Sequence, residues 1–500
     1  MSTADTAREP LEPSPPLSDP PGPPGDPEPV GARARRAIHW SVLNTLVGRV
    51  GATFVGVLLA RILQPDDYGV FAVSLVALNA LLSVNELGVS LAVVRWPGDV
   101  SRIAPTVVTL SLVSSAVLWL AVFVSAPQIA AALNAPQATG VLRLLSLGVL
   151  VDAVTAVPAA LMTREFMQKQ RLIVDFAGFA VTSTLALGLA AAGAGAWSLA
   201  VSALAGNLLN GVLIVRYAPR WFAPAFDRPI ARELLGFGLP LALASLLVFA
   251  LLNVDYVVVG AHLDPAELGF YLLAFNLSAW PVNVFSAPAR RVSLPAFARL
   301  DEGRSSASAA FVPACTALVV VTLPACLLLA LFAGPLISLV YGDKWTASAQ
   351  VLPWLMVLAL TRVTGELAYD FLVALSRSTA TLAVQGVWLA ASIPALLVGV
   401  RLGGIEGVGI AHAAVCLGVA VPGYAVVLRR AGVSLPTLGR ALLRPMLALA
   451  VGAGVGLAVL AGVQADVGRV LIGGALTAVA YLAVVYPMRV LFLNPARTAA

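Results

Sequence analysis

The sequence predicts an all-α polytopic membrane protein of about fourteen transmembrane helices in two related halves. Three observations carry that prediction. Of 500 residues, 59% are apolar and only 11% charged, with a mean hydropathy of +0.92, a composition far from that of water-soluble domains. Apolar runs of about 20 residues, each long enough to cross roughly 30 Å of hydrocarbon, recur along most of the chain. Finally, residues 60–71, ARILQPDDYGVF, return 200 positions later as 260–271, GAHLDPAELGFY.

The repeat is informative residue by residue. Leu63 falls on Leu263, Pro65 on Pro265, Asp67 on Glu267, Gly69 on Gly269 and Phe71 on Tyr271. An apolar run precedes and follows each copy, so the motif reads as a tight turn joining two membrane helices. Proline opens the turn with φ already fixed, an acid suits the first turn of the next helix, and glycine lets backbones pass closely. A constant offset inside matching hydropathy indicates an internal duplication.

Taken in order, residues 1–36 come first. Ten prolines fall within residues 1–30 among Ser, Asp and Glu, which predicts a disordered, extended tail. It lacks the basic start and short apolar core of a signal peptide. Arg33, Arg35 and Arg36 stand directly before the first span and are expected to hold the N-terminus in the cytoplasm.

Spans are expected at 39–62, 69–93, 104–125, 140–162, 172–193, 196–217, 234–260, 268–289, 309–333, 349–374, 378–400, 404–428, 441–462 and 468–487. An even number puts both termini on one side. With the termini inside, and residues at the ends of spans counted with the adjoining loops, inner segments carry 24 of the 31 basic residues, outer ones four and the span interiors three. Shifting the topology by one helix inverts this bias, so both termini are expected to be cytoplasmic, in an inner or plasma membrane. The divisions follow: 37–232 and 233–432 as the two halves, and 433–500 as two further spans with a short tail. The net charge of +6 is then topogenic, and no nucleic-acid partner is expected.

The outer connections, such as 126–139 and 191–197, are short, and the longest inner one is that around 290–308. A soluble catalytic domain has no room in either set, which disfavours an enzyme. Cys315, Cys326 and Cys416 fall inside apolar runs without metal spacing, so they read as core filler with neither a disulfide nor a zinc site.

Several stretches together resemble a known family: ARILQPDDYGVF, NELGVSLAVVRW (85–96), NVDYVVVG (253–260), GFYLLAFNLSAWPVNVFSAPARRVSLPAFARL (269–300) and LISLVYGDKW (336–345). They look like the Wzx-type oligosaccharide flippases, and most like the teichuronic-acid and colanic-acid exporter branch of the multidrug/oligosaccharidyl-lipid/polysaccharide superfamily. The resemblance covers about residues 38–430; the Pro-rich tail lies outside the family pattern, and no residue signature identifies the sugar. It implies two pseudo-symmetric six-helix bundles around a central cavity, related by an axis along the membrane normal, with two C-terminal helices appended. It also implies movement of a polyprenyl-pyrophosphate-linked oligosaccharide from the inner to the outer leaflet, for lipopolysaccharide or other cell-surface polysaccharide biosynthesis. A polymerase and glycosyltransferases are the partners such a pathway would bring. The headgroup cannot cross hydrocarbon unaided while the prenyl tail can stay in lipid. A laterally open, hydrated cavity with cations for the diphosphate, exposed to each side in turn, meets both demands.

Intramembrane charges make this specific. Arg49 lies midway along the first span, where an unpartnered arginine costs a few kcal/mol. Either its guanidinium contacts the pyrophosphate, which it suits bidentately, or it pairs with Glu86 of the second span. Arg143, near the outer end of the fourth span, is expected to snorkel. Arg362, Glu366 and Asp370 follow at i,i+4 spacing in the tenth span, which sets them on one face. Such a stripe must face the bundle interior or a cavity. It is either a coupling site, where a proton or sodium binds Glu366 or Asp370, or a static intra-helix pair. The residues do not choose between the two ions, and no other cofactor or metal is expected.

Asp152, deep in the fourth span, is a second coupling candidate. Asp175 is expected to be held by Lys169 or Arg171, and Asp255 to make a helix-packing contact. Arg290 and Arg291 stand at the inner mouth of the eighth span, either attracting the diphosphate or anchoring topology. His39, His262 and His412 share no spacing with one another or with acids; the first two read as interfacial and His412 as packed against neighbouring helices. Trp40, Trp96, Trp197, Trp221 and Trp345 fit the interfacial belt. Three further classes stay open: a multidrug/cation antiporter of the same superfamily, which calls for twelve spans and an acid-lined pocket; a membrane glycosyltransferase or polymerase, which calls for a sizeable external loop; and a peptidoglycan-precursor flippase, separated by substrate alone.

Overall fold

The computed structural model describes residues 51–85, 93, 98–165, 167–286, 289–290, 297, 304–375 and 377–489, and every regular element among them is helical. The Pro-rich tail, Arg49, Glu86 and Arg291 lie outside the described residues. In order the helices are α1 (Gly51–Ile62), α2 (Pro65–Asn85), α3 (Ala104–Ala132), α4 (Ala138–Arg164), α5 (Gln168–Ala191), α6 (Ala196–Tyr217), α7 (Arg228–His262) and α8 (Pro265–Ser286). They continue with α9 (Arg304–Leu331), α10 (Ala333–Tyr341), α11 (Ser348–Ala374), α12 (Ser378–Val415), α13 (Val421–Arg430), α14 (Leu435–Gly462) and α15 (Asp466–Arg489). Among the described residues, ten helices are long and apolar enough to cross a membrane.

Local chemistry explains the ends. Asp264 caps α8 by accepting from the Glu267 amide at 2.9 Å, with Pro265 in the first helical turn. In the first copy of the motif, Asp67 reaches back to the Gln64 amide at 3.0 Å. Both are halves of a capping box, which satisfies amides that a helix start leaves open. Proline therefore opens each second helix at 65 and 265, a few residues before the expected starts of 69 and 268. The two spans expected at 378–400 and 404–428 form one continuous apolar stretch, Thr379–Arg430. It is broken at Gly403 and Gly404, where φ of +55° at Gly404 takes the chain out of the helix, a conformation open to glycine without steric cost.

Gly195, before α6, has φ 55° and ψ −136°, and Gly404 has φ 55° and ψ −137°. The amides of Glu165 and Met167 bond the carbonyls of Leu161 and Met162 at the end of α4; those of Leu375 and Arg377 bond Phe371 and Leu372 at the end of α11. The duplication thus extends to backbone geometry. It also sets Asp152 of α4 opposite Arg362 of α11 as repeat counterparts.

One expectation is corrected. Residues 126–132, taken as an outer connection, continue α3 with Pro127 inside it, because the run Ile129-Ala-Ala-Ala favours helix. Arg143 of α4 packs against this helix: its Nε donates to the Phe123 carbonyl at 3.0 Å and its guanidinium lies 4.8 Å from the Phe123 ring centroid. Proline at position 127 cannot donate to that carbonyl, and the arginine supplies the missing donor.

The two motif copies meet. A Cβ on Gly69 would land on the carbonyl oxygen of Pro265, and one on Gly269 on that of Pro65, a reciprocal backbone contact that only small residues permit. Around it, second-half side chains take up the carbonyls that end α1. Trp345 Nε1 donates to Ala60 at 2.7 Å, and Lys344 Nζ donates to Leu63 at 2.6 Å and to Arg61 at 3.0 Å. In return, Arg61 Nε donates to the Val340 carbonyl at 2.8 Å. Tyr68 and Phe270, one from each half, meet the Trp345 ring edge-on with centroids at 5.1 and 6.0 Å. Trp345 is fully buried in this seam, not placed in an interfacial belt. Each such bond contributes about 1 kcal/mol net, and more where a charge donates.

Of the ten apolar helices measured among the described residues, α11 is the most buried: 61% of its apolar window is buried, against 17% for α3 and for α5. The Arg362, Glu366 and Asp370 stripe therefore sits on an interior helix, the setting that charges in a membrane protein require.

Candidate functional site

A cavity of about 390 Å³ opens beside α11. Every described residue lining it lies between 254 and 424, on α7, α8, α11, α12 and α13 of the second half or, for Arg290, just beyond α8. Arg362, Glu366 and Arg290 line it, with Asp255 and His412 and the aromatic residues Phe275, Tyr369, Trp388 and Tyr424.

The stripe's three members have different fates. Asp370, 1% exposed, faces Arg290, whose terminal nitrogen lies 3.3 Å from Oδ1 and whose Nε donates to Oδ2 at 3.4 Å. That pairing joins α11 to the end of the α8 segment across 80 residues. Glu366 accepts from the Ser286 hydroxyl. No ion pair links Arg362 to Glu366 or to any other described residue, so the static i,i+4 pair is not formed. The reason is geometric: Ser286 and Arg290 come from a helix packed alongside and engage both carboxylates from the front. Arg362 is left as a half-buried guanidinium at the cavity wall. In such a setting it can take a phosphate or carboxylate bidentately.

At the far side of the cavity a second group assembles. Asp255 of α7, 2% exposed, accepts from the Tyr271 hydroxyl of α8 at 2.7 Å. His412 Nε2 of α12 lies 3.6 Å from the same carboxylate oxygen. Tyr271 stacks edge-on against Tyr256 at 5.7 Å, and Phe275 lies 5.2 Å from Tyr256. Asp255 does join helices, as expected for it. His412 is packed against neighbours, as expected, yet it faces a carboxylate that sequence spacing could not have paired with it. A signal was available in the repeat. Tyr271 answers to Phe71, Asp255 to Val55 at the same offset, and His412 to Ala203 when Gly404 is set on Gly195. Polar residues at three positions that are apolar in the first half mark a feature of the second half alone.

In the first half, Asp152 lies between α4 and α6, with the Asn207 amide 3.5 Å from its Oδ1. It is apart from the cavity. The candidates Arg49, Glu86 and Arg291 lie outside the described residues. Among the described residues, no cluster of His, Cys, Asp and Glu has the makings of a metal site.

A many-helix membrane protein with a charged internal cavity and a duplicated framework is by class a polytopic transporter. The chain belongs to the polysaccharide biosynthesis protein family, whose profile matches residues 58–350. It is 28% identical over 332 residues to the succinoglycan biosynthesis transport protein ExoT of Rhizobium meliloti, covering 65% of this chain and 66% of that protein. It is 26% identical over 379 residues to the lipopolysaccharide biosynthesis protein WzxC of Escherichia coli, covering 74% and 75%. Among solved structures, the lipid II flippase MurJ in an inward closed conformation superposes with a TM-score of 0.76 at 13% identity, over 91% of this chain and all of that one. An inward-facing multidrug transporter of the superfamily gives 0.60 at 15%, over 81% and 99%. At such identities these likenesses show a common fold.

Proposed function

We propose that this protein flips a polyprenyl-pyrophosphate-linked oligosaccharide from the cytoplasmic to the outer leaflet, for cell-surface polysaccharide biosynthesis. It does so by alternating access, with two six-helix bundles rocking about their seam and two C-terminal helices appended. The observation that carries the reading is Arg362: a guanidinium without an ion-pair partner among the described residues, on the most enclosed helix, facing a cavity. A buried cation of this kind is costly unless an anion visits it, and a diphosphate is such an anion. Arg290, and by position Arg291 and Arg49, would complete the set of cations for the headgroup. The aromatic wall of Phe275, Tyr369, Trp388 and Tyr424 offers apolar faces to sugar rings.

The orientation follows from the arginine distribution: both termini in the cytoplasm of a cell whose inner or plasma membrane holds the protein. On that reading the seam of Trp345, Lys344 and the two Pro-Gly motifs closes the outer side, and Arg290 with Asp370 stands at the inner mouth. Ion coupling would draw on Glu366 and Asp370, with Glu86 and Asp152 as further candidates. A polymerase and glycosyltransferases would act before and after transport.

The test is complementation of a strain lacking its own oligosaccharide flippase. Arg362→Ala is expected to abolish surface polysaccharide while leaving the protein in the membrane, and Arg362→Lys to restore only part of it. Normal export by Arg362→Ala would remove that residue from the site. A multidrug antiporter is the competing reading; it requires drug efflux in cells without a glycan pathway.

A further inference from the structure

We infer that the Asp255–His412–Tyr271 group is a proton-binding site at the wall of the second-half cavity. The argument starts from an anomaly. His412 is 8% exposed, and neither of its ring nitrogens has a hydrogen-bond partner among the described residues. A buried polar atom left this way costs about 1–3 kcal/mol, and such groups in native proteins call for a ligand, a water or a functional role. Nε2 already points at a carboxylate, 3.6 Å away, just beyond hydrogen-bonding reach. One proton added to Nε2 converts that gap into a charge-assisted bond, N⁺–H to O⁻.

The surroundings favour this reading. Tyr271 donates to the same Oδ2 at 2.7 Å, so the carboxylate is held in place as an acceptor. The ionisable groups around the pair are few. Besides Asp255, α7 presents Tyr256; α8 presents Tyr271; α11 presents Arg362 and Glu366 along the cavity wall. Tyr369 of α11 and Tyr424 of α13 also line the cavity. Helix α2 packs on α7 as well, and its ionisable side chains among the described residues, Asp66, Asp67 and Tyr68, all lie in its first turn; α3 carries none. Asp370, Glu366 and Arg362 follow one another over about 12 Å of α11 at 1.5 Å per residue, and Glu366 and Arg362 share the cavity lining with His412.

The same geometry selects a proton over sodium. A hard cation requires several oxygen ligands, and here one carboxylate, one phenol already donating its hydrogen, an imidazole and a guanidinium nearby do not supply them. In the step itself, a hydronium ion in the cavity passes its proton to His412 Nε2, the ring's own hydrogen being on Nδ1, and leaves as water. The resulting imidazolium donates to Asp255 Oδ2, and no other bond changes. The consequence is mechanical: α12 is drawn to α7, both of which wall the cavity. This deepens the transport reading by naming the coupling ion and its seat, and it rests on that reading only for what the proton is used for.

The test avoids transport altogether. The chain has three histidines, so selective ¹⁵N-histidine labelling of the full-length protein in nanodiscs gives a spectrum that single His→Gln changes assign. In spectra recorded across about pH 5 to 8, the His412 signal is expected to pass from neutral to protonated imidazole. The midpoint of that change should move in Asp255→Asn and move less in Tyr271→Phe. It should not respond when sodium replaces potassium at constant ionic strength. A His412 signal that stays in one protonation state across that range overturns the proposal. So does a midpoint untouched by both substitutions, or a sodium-specific shift. The wild-type titration decides even where a variant does not fold, and a positive result with failed complementation by Arg362→Lys and wild type alike would sink the substrate reading while leaving the proton site standing.

Discussion

The indole N–H of Trp345 donates to the carbonyl oxygen of Ala60 at 2.7 Å, across 285 residues of chain. Ala60 stands in the last turn of α1, where four carbonyls lose their helical donors, and Trp345 comes from the short stretch between α10 and α11. The bond therefore ties the end of one repeat to the other at the point where their Pro-Gly motifs press together.

Trp345→Phe should keep the ring against Tyr68 and Phe270 but leave the Ala60 carbonyl buried without its donor. The expected loss is about 1–3 kcal/mol, read as a lower unfolding temperature in detergent. If the seam is the outer closure, a cysteine placed at Gln64 should also react severalfold faster with an impermeant maleimide in whole cells. Unchanged stability and labelling together would show that the seam does not depend on this bond.

The Arg290–Asp370 pair is asymmetric, with side chains 46% and 2% exposed. Arg290→Ala takes a cation away from a buried carboxylate, whereas Asp370→Asn leaves an arginine that water can still reach. Arg290→Ala should therefore be the more destabilising, by about 1–2 kcal/mol after allowing for screening at the exposed end. The double change should cost less than the sum of the two. Chemical unfolding of all four proteins gives the cycle, and additive costs would mean that the pair is not coupled.

Arg143 and Pro127 form a different kind of couple. With arginine gone, the Phe123 carbonyl has neither the arginine nor a residue-127 amide to accept from. Arg143→Met should cost about 1–2 kcal/mol, and adding Pro127→Ala should recover most of it by restoring the helical bond. If Pro127→Ala gives no rescue in thermal unfolding, the arginine acts through the Phe123 ring instead.

Outside the spans, the Ser101 hydroxyl and amide hold the Asp99 carboxyl below its ordinary range, the amide bond being 3.0 Å. A carboxyl depressed in the folded state stabilises its turn above its unfolded value of about 3.9. That contribution fades as pH falls through the lower folded value. Protection of the Ser101 amide from hydrogen exchange, normalised to its intrinsic rate, should hold from neutral pH to about pH 4 and then decline. In Asp99→Asn it should be independent of pH; an identical profile in both proteins would rule the carboxylate out.

Much of this was legible beforehand, for reasons that are local. A run of twenty apolar residues is a membrane helix wherever it sits, and the breaks at Pro65, Pro265 and Gly404 follow from the backbone chemistry of proline and glycine. The spacing of Arg362, Glu366 and Asp370 was enough to place them on one face of an interior helix. Their partners were not legible. Ser286 and Arg290 lie 80 residues away, and although Arg290 stood out as a cation at the inner mouth of its span, no local spacing pairs it with Asp370 or Ser286 with Glu366.

Read alone, then, the sequence determined the solvent this protein lives in, its helical class, its duplication and the helix that bears its interior charge. All of these depend on hydropathy and backbone preference within a turn or two. The tertiary structure decided which carboxylate is neutralised and which arginine remains open, and it brought Asp255, Tyr271 and His412 together from three helices. Those outcomes depend on electrostatics between side chains a few ångströms apart, and such distances exist only after helices distant in sequence have packed.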